Sequence, residues 1–338
     1  MSSELISHFD ALIRRDPARR GLISSEEQFG PLCPGHLHAA AAHLAGHAKC
    51  VGIVTGFYIP RGDPPAAETD GPLGSLFLAS AFAQSGIRAF VITDTLCAPA
   101  IRAAASMLDF PQANVLECPP DSNDWTTEFW TTSAGRGLSH LIALERVGPS
   151  HTLESLAAQS RTDEIPEQAF LQAVPQVTWN HSHNMRGENI DAHTAPLHRL
   201  FETCRSIRPE MKTIGIGDGG NEIGMGCIPW EELTRRLLGE HSARIPCRIA
   251  TDWNIVAGTS NWGGYALAAA TLLLRGQIEV LRPFTFDQQE KLLNHVIQHG
   301  PAVDGVTRLR EPTVDGLPFL TYIQPWLGMR HLLGWDTP

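Results

Sequence analysis

The chain has 338 residues, 43% of them apolar, with a formal net charge of −10. That is enough chain for a large core, as one α/β unit or as two lobes. The acidic balance argues against nucleic acid as a partner, and no apolar run reaches the ~18 to 20 residues that cross a bilayer, so no membrane span is expected.

Residues 1–50 read as a helical N-terminal segment. Its start, MSSELISHFDALIRRDPARRG, lacks an apolar stretch before a cleavage site and carries Glu4, Asp10 and Asp16, which a transit peptide avoids. The expectation is a cytoplasmic protein. His36, His43 and His47 recur at spacings that share one helix face. A metal face is one reading, and solvated or packed histidines are the other.

Short apolar runs then alternate with helical patterns. The expected strands are Val51–Phe57, Ala89–Asp94, His140–Glu145, Lys212–Asp218 and Asn254–Gly258. Unbroken apolar runs of this length fit strands buried on both faces. The clearest helical patterns are Gly74–Gly86, Pro99–Phe110, Pro196–Ile207 and Asn261–Leu274. This alternation predicts an α/β fold, a largely parallel sheet with helices on both faces in three layers. No repeat or linker divides the chain, so residues 1–338 are expected to form a single domain whose core is 51–325. The Pro-rich Arg61–Pro72 reads as an ordered loop. The seven cysteines are dispersed and form no CxxC, so reduced buried thiols are expected.

Ligands of such sheets bind at the carboxyl ends of the strands. Thr55, Asp94, Glu145 and Asp218 fall at such ends, and the segments around Glu68–Ser75 and Ser260–Gly264 open the helices that follow. Acidic side chains there attract cations, and free N–H groups at helix starts attract anions. A small zwitterion or a metal-bridged anion suits both. The stretch TIGIGDGGNEIGMG concentrates six glycines around Asp218, Asn221 and Glu222. Gly215, Gly217 and Gly220 also fit G-x-G-x-x-G, with Glu240 about 20 residues on. Asp218 and Glu222 would set negative charge beside a pyrophosphate, which counts against NAD. A plain structural turn is the remaining alternative. The loop His181–Ile190 holds Asn184, Arg186 and Glu188; Arg186 is a candidate bidentate carboxylate clamp, with a solvated loop as the other reading. Glu145 and Arg146 admit a buried ion pair instead of a site, and Asp304 and Asp315 fit Asp-Gly turns. No GxSxG elbow and no GK[ST] loop occurs, so neither a serine nucleophile nor ATP is expected.

The blocks TGF, ETDGPLG, ITD, ER-GP, NMRGENI, GIGDGGNEIGMG, SNWGGYALAAA, DGVT and TVDGLP follow one another from Val51 to Leu320. Together they resemble the D-glutamate cyclase family. In larger relatives this unit is the C-terminal part of a mitochondrial protein, and here it is expected to stand alone. One stretch departs from the family pattern: TWNHSH (Thr178–His183) precedes NMRG in place of a glycine- and tyrosine-rich run. The resemblance implies closure of D-glutamate to 5-oxo-D-proline with release of water, and a divalent metal, Mn²⁺ or Mg²⁺. It implies no NAD and no ATP. Glu145, Asp218 and Glu222 are then the expected metal ligands, and Asp218, Asn221 and Glu222 the expected catalytic group. Thr55, Gly56, Asp70, Gly71, Ser260 and Asn261, with Arg186, are expected to hold the substrate, Asp70 facing its ammonium. A metal-dependent phosphoesterase and a non-catalytic amino-acid-binding protein use the same features. A homo-oligomer is compatible with all of them.

Overall fold

The computed structural model describes residues 2–122, 124–161 and 164–335. Helix α1 (Ser2–Ile13) buries Ile6, Phe9 and Ile13, a spacing of three and four that marks one helix face. Helix α2 (His36–His47) leads into the first strand, β1 (Cys50–Thr55). The chain continues through α3 (Pro72–Gln84), β2 (Arg88–Asp94), α4 (Ala98–Met107), β3 (Val115–Cys118) and β4 (His140–Leu144). It then forms α5 (His198–Ile207), β5 (Lys212–Gly217), α6 (Trp230–Arg236), β6 (Trp253–Val256) and α7 (Ser260–Leu274), and closes with α8 (Phe286–His299) and α9 (Gln324–Leu332).

The six strands form one parallel sheet in the order β3-β2-β1-β4-β5-β6. Successive side chains of a strand point to opposite faces, and here each face has its own core. Val51, Ile53, Ile142, Leu144, Ile214 and Ile216 pack under α1, α2, α3 and α7. Cys50, Val54, Leu141, Ala143 and Val256 pack on the other side against Leu200, Phe201 and Leu233. The result is the three-layer α/β arrangement expected from the alternation.

The expected strands and helices are present with ends shifted by a few residues. One strand of this sheet has no counterpart in the sequence reading, nor do the two-residue strands of two small hairpin sheets outside it. Edge strand β3 is four residues long and half-buried in its middle. Its Glu117 carboxylate accepts a hydrogen bond from Arg102 Nε at 2.6 Å. A charged residue in so short a run hides the strand pattern.

Strand order 3-2-1-4-5-6 reverses direction between β1 and β4, and a crevice opens there at the carboxyl ends. Helices α3 and α7 start beside this crevice and pack against each other. Gly74 allows that contact, because a Cβ there would fall 2.6 Å from the Asn261 Cα. Among the described residues no helix is long and apolar enough to cross a membrane.

Candidate active site

Arg146 fastens the strand ends at the crevice. Its side chain is 1% exposed. It donates to Asp94 Oδ2 at 2.6 Å, to the Gly56 carbonyl at 2.8 Å and to the Ala195 carbonyl at 2.6 Å. The buried ion pair therefore joins Arg146 to Asp94, and Glu145 points the other way, into the crevice. Glu145 Oε2 accepts the Ser260 hydroxyl at 2.5 Å.

The starts of α3 and α7 cap one another. Asp70 accepts the N–H groups of Ser260 and Asn261, each at 2.8 Å. Asn261 Oδ1 in return accepts those of Gly71 at 2.9 Å and Gly74 at 2.6 Å. This corrects the expectation of free amide donors at these helix starts: the exchange consumes them.

The glycine-rich turn after β5 serves Glu222. Its carboxylate folds back to accept the N–H of Gly219 at 2.7 Å and of Gly220 at 2.8 Å. A Cβ at Gly219 would fall 2.8 Å from Asn221 Oδ1 and 2.9 Å from Glu222 Oε1. The turn does not open a helix, since α6 begins only at Trp230. The strand–turn–helix geometry of a dinucleotide fingerprint is therefore not built here.

Asp70, Glu145 and Asp218 each place a carboxylate oxygen within 4.8 Å of the others, and all three residues are buried. The expected ligand set was Glu145, Asp218 and Glu222. The arrangement substitutes Asp70 for Glu222, because it is Asp70 that brings a carboxylate oxygen within that distance of the other two. The set fits a hard divalent cation, because every donor is oxygen. Asp218 Oδ1 and Glu68 Oε1 are buried without a hydrogen bond among the described residues. Arg20 is a single cation facing several buried carboxylates, and the negative charge it leaves uncompensated is unfavourable unless a further cation binds.

Two further acids and one base complete the floor, and the sequence reading assigned none of them a role there. Glu68 and Asp315 are buried beside the three. Arg20 enters from the segment after α1 and forms ion pairs with Asp218 and with Asp315, the latter at 2.8 Å. Asp16 aims it: its carboxylate accepts the N–H of Arg20 and of Gly21, each at 2.8 Å, and the Ser24 hydroxyl at 2.6 Å. Burial alone would lower the guanidinium's pKa, but Asp218, Asp315, Glu145 and Glu222 outweigh it and raise it, so Arg20 stays charged.

Burial lifts the carboxyls. Desolvation, with repulsion from Asp315, holds Glu68 well above the ordinary range, and Glu145 and Asp70 rise for the same kind of reason. Asp218 is pushed up to about 6 and Asp315 to about 7, chiefly by burial and against the pull of Arg20. The folded state thus keeps protons that the unfolded chain has lost, so stability falls as pH rises through these values. Buried His140, held near 3, and His198, near 4, work with the opposite sign, but that loss appears only below their ordinary value of 6.5. Between about pH 6.5 and 8 the carboxylates decide the trend. The melting temperature of metal-free protein should fall across that window, and Mn²⁺ should remove most of the fall. A Mn²⁺-induced shift equal at both ends of the window would contradict the assignment.

Above the floor lies a cavity of about 250 Å³, whose wall includes Arg20, Glu68, Glu145, Arg186, Asp218 and Asn221. That is the small end of ligand-site sizes and suits a small polar metabolite. Asn221 donates to the His183 carbonyl at 2.8 Å, leaving its buried Oδ1 without a partner among the described residues. Asn184 Oδ1 accepts the N–H of Arg186 at 2.9 Å and shapes the loop. Among the described residues the Arg186 guanidinium itself makes one long hydrogen bond, 3.4 Å to the Val306 carbonyl. Of the residues expected to hold a substrate, Arg186 reaches the cavity wall; Thr55, Gly56, Asp70, Gly71, Ser260 and Asn261 are not among its lining residues. They are buried, and of them Asp70 joins the acidic floor and Ser260 donates to its Glu145.

The histidine face of α2 is spent on structure: His36 Nδ1 accepts the Asn254 N–H at 2.9 Å, and His43 shares a 2.9 Å hydrogen bond with His140. Asp304 makes a turn, accepting the N–H groups of Val306, Thr307 and Gly316, each at 2.8 Å. Its counterpart Asp315 joins the acidic floor.

The human protein "D-glutamate cyclase, mitochondrial" is 28% identical over 350 aligned residues, covering 94% of this chain and 50% of that protein. The chain thus spans about half the length of that curated relative. The family model described as "D-glutamate cyclase-like, C-terminal" matches residues 9–161 and 172–324. Sheet, acidic floor and motif blocks all lie within those matched segments, and the chain belongs to the D-glutamate cyclase-like C-terminal family.

Proposed function

We propose that the protein is a metal-assisted D-glutamate cyclase, converting D-glutamate to 5-oxo-D-proline and water. The observation that carries this reading is the buried group Asp70, Glu145 and Asp218, set beneath a small cavity that Arg186 borders. Ring closure joins the α-amine to the γ-carboxyl carbon. The amine must be neutral and the anionic γ-carboxylate must be made electrophilic. A divalent cation held by Asp70, Glu145 and Asp218 would supply Lewis-acid stabilisation of the charge that develops on the γ-carboxylate oxygens.

The protein's own groups do the rest. Arg186 grips the α-carboxylate from the cavity wall through its fork of donors. Arg20, charged and fixed at the floor, offsets negative charge arriving with the γ-carboxylate. Glu68 borders the cavity outside the cation-binding group and, in its ionised form, accepts the ammonium proton. Asn221 Oδ1 accepts a hydrogen bond from the amine. Holding both ends of glutamate folded supplies much of the rate, because intramolecular orientation contributes about 7 kcal/mol or more.

Purified protein with Mn²⁺ or Mg²⁺ should consume D-glutamate without ATP and consume L-glutamate far more slowly, as read by chiral chromatography with EDTA controls. The Arg186→Lys variant keeps the charge and loses the fork, and should raise KM about tenfold, the loss of ~1.4 kcal/mol. If neither enantiomer is consumed while a phosphate ester is hydrolysed, the phosphoesterase reading replaces this one.

A further inference from the structure

Two of the seven cysteines stand apart from the rest. Cys50, Cys97, Cys118, Cys204 and Cys247 are buried, whereas Cys33 and Cys227 are half-buried and lie 3.9 Å apart, sulfur to sulfur. They are 194 residues apart in the chain and join two functional segments. Cys33 ends the strap, residues 14–33, that carries Arg20 into the acidic floor. Cys227 follows the glycine-rich turn that carries Asp218 and Glu222.

The strap also touches the helix that follows Cys227 through polar contacts. Arg236 donates to the carbonyls of Gly30 at 2.8 Å and Phe29 at 3.0 Å, and the Leu238 N–H donates to the Arg20 carbonyl at 2.9 Å. Cys227 lines a second surface cleft beside Gln159 and Arg248, and Cys33 is half-buried with its sulfur 3.9 Å away, so a small reagent can reach the pair.

We propose that Cys33 and Cys227 are a redox-sensitive pair, and that a small disulfide oxidant converts them to a disulfide fastening the Arg20 strap to the glycine-rich turn. The step balances. The Cys33 thiolate attacks an oxidant R–S–S–R and expels one thiolate. The Cys227 thiolate then attacks the Cys33 sulfur and expels the second. One Sγ–Sγ bond forms, one S–S bond breaks, and the two protein protons leave with two R–SH.

Cys33 is the attacking group. The hydrogen bond from Cys227 favours its thiolate, and Arg14 adds to that, so its pKa is lowered against the effect of burial, while Cys227 is raised. Neither sulfur sits in a helix or strand, and closing 3.9 Å to a bond of about 2.05 Å needs only a loop adjustment. A cross-link over so long a loop strongly restricts the unfolded chain.

The test is incubation of the folded protein with oxidised glutathione, alkylation, digestion and mass spectrometry. The expected product is a Cys33–Cys227 linked peptide lighter by two hydrogen atoms, with the other five cysteines alkylated only after denaturation. The oxidised protein should melt about 5 °C higher, and the shift should vanish in Cys33→Ser and in Cys227→Ser. Recovery of Cys33 and Cys227 as separate alkylated or glutathione-bearing peptides would overturn the proposal. So would a link between any other pair, or a linked pair with no rise in melting temperature.

Discussion

Replacing Asp218 by asparagine should lower Mn²⁺ affinity on the order of 100-fold, ~2.7 kcal/mol, and lower turnover of D-glutamate with it. Asp218 is one of three buried carboxylates able to share a cation; its Oδ2 pairs with Arg20, and its Oδ1 accepts no hydrogen bond among the described residues. The amide keeps the shape and removes the charge, and a charge lost in a buried site is little replaced by solvent. Unfolding is not the route to this effect. The substitution takes one negative charge from a cluster that already holds more carboxylates than Arg20 can balance, and Arg20 keeps Asp315 at 2.8 Å. Metal-free Asp218→Asn should therefore melt close to the wild type at pH 8. Calorimetric titration with Mn²⁺ reads the affinity directly, and an unchanged affinity would return the glycine-rich turn to a purely structural role.

The largest effect on stability is expected for Arg146→Met. This change leaves the Asp94 carboxylate buried opposite no cation and strands the carbonyls of Gly56 and Ala195. Breaking one side of a buried ion pair costs about 3 to 5 kcal/mol. The loss would also loosen the end of β1 from the end of β2, where the crevice opens. Adding Asp94→Asn to Arg146→Met removes the unpaired charge and should recover part of the loss. Urea unfolding measures both. A loss below about 1 kcal/mol in the single variant would mean that the carboxylate finds another partner or protonates cheaply.

The sheet was legible in the sequence because its central strands are unbroken apolar runs with polar ends. The edge strand Val115–Cys118 was not, since four residues with Glu117 among them carry too little pattern. The site was legible where one segment holds the chemistry. Asp218, Asn221 and Glu222 announce themselves by the glycines around them, although what those glycines permit is the return of the Glu222 carboxylate to its own turn. Arg20 was hidden because it meets Asp218 from 198 positions away, and its only local sign is the Asp16 turn that aims it. Glu68 and Asp315 sat inside quoted motifs, but a motif does not say which of its acids faces inward. Asp70 was assigned to the substrate, and the mutual capping of two helix starts draws it into the floor instead. That exchange depends on the close approach of Gly74 to Asn261, a contact between segments far apart in the chain.

The most direct test of the whole account is the position of the metal. Crystals grown with Mn²⁺ and 5-oxo-D-proline should give their strongest anomalous difference peak within coordinating distance of Asp70, Glu145 and Asp218, with Arg186 on the product's carboxylate. A strongest peak elsewhere, or no peak at saturating Mn²⁺ with Arg20 still bridging Asp218 and Asp315, would contradict it.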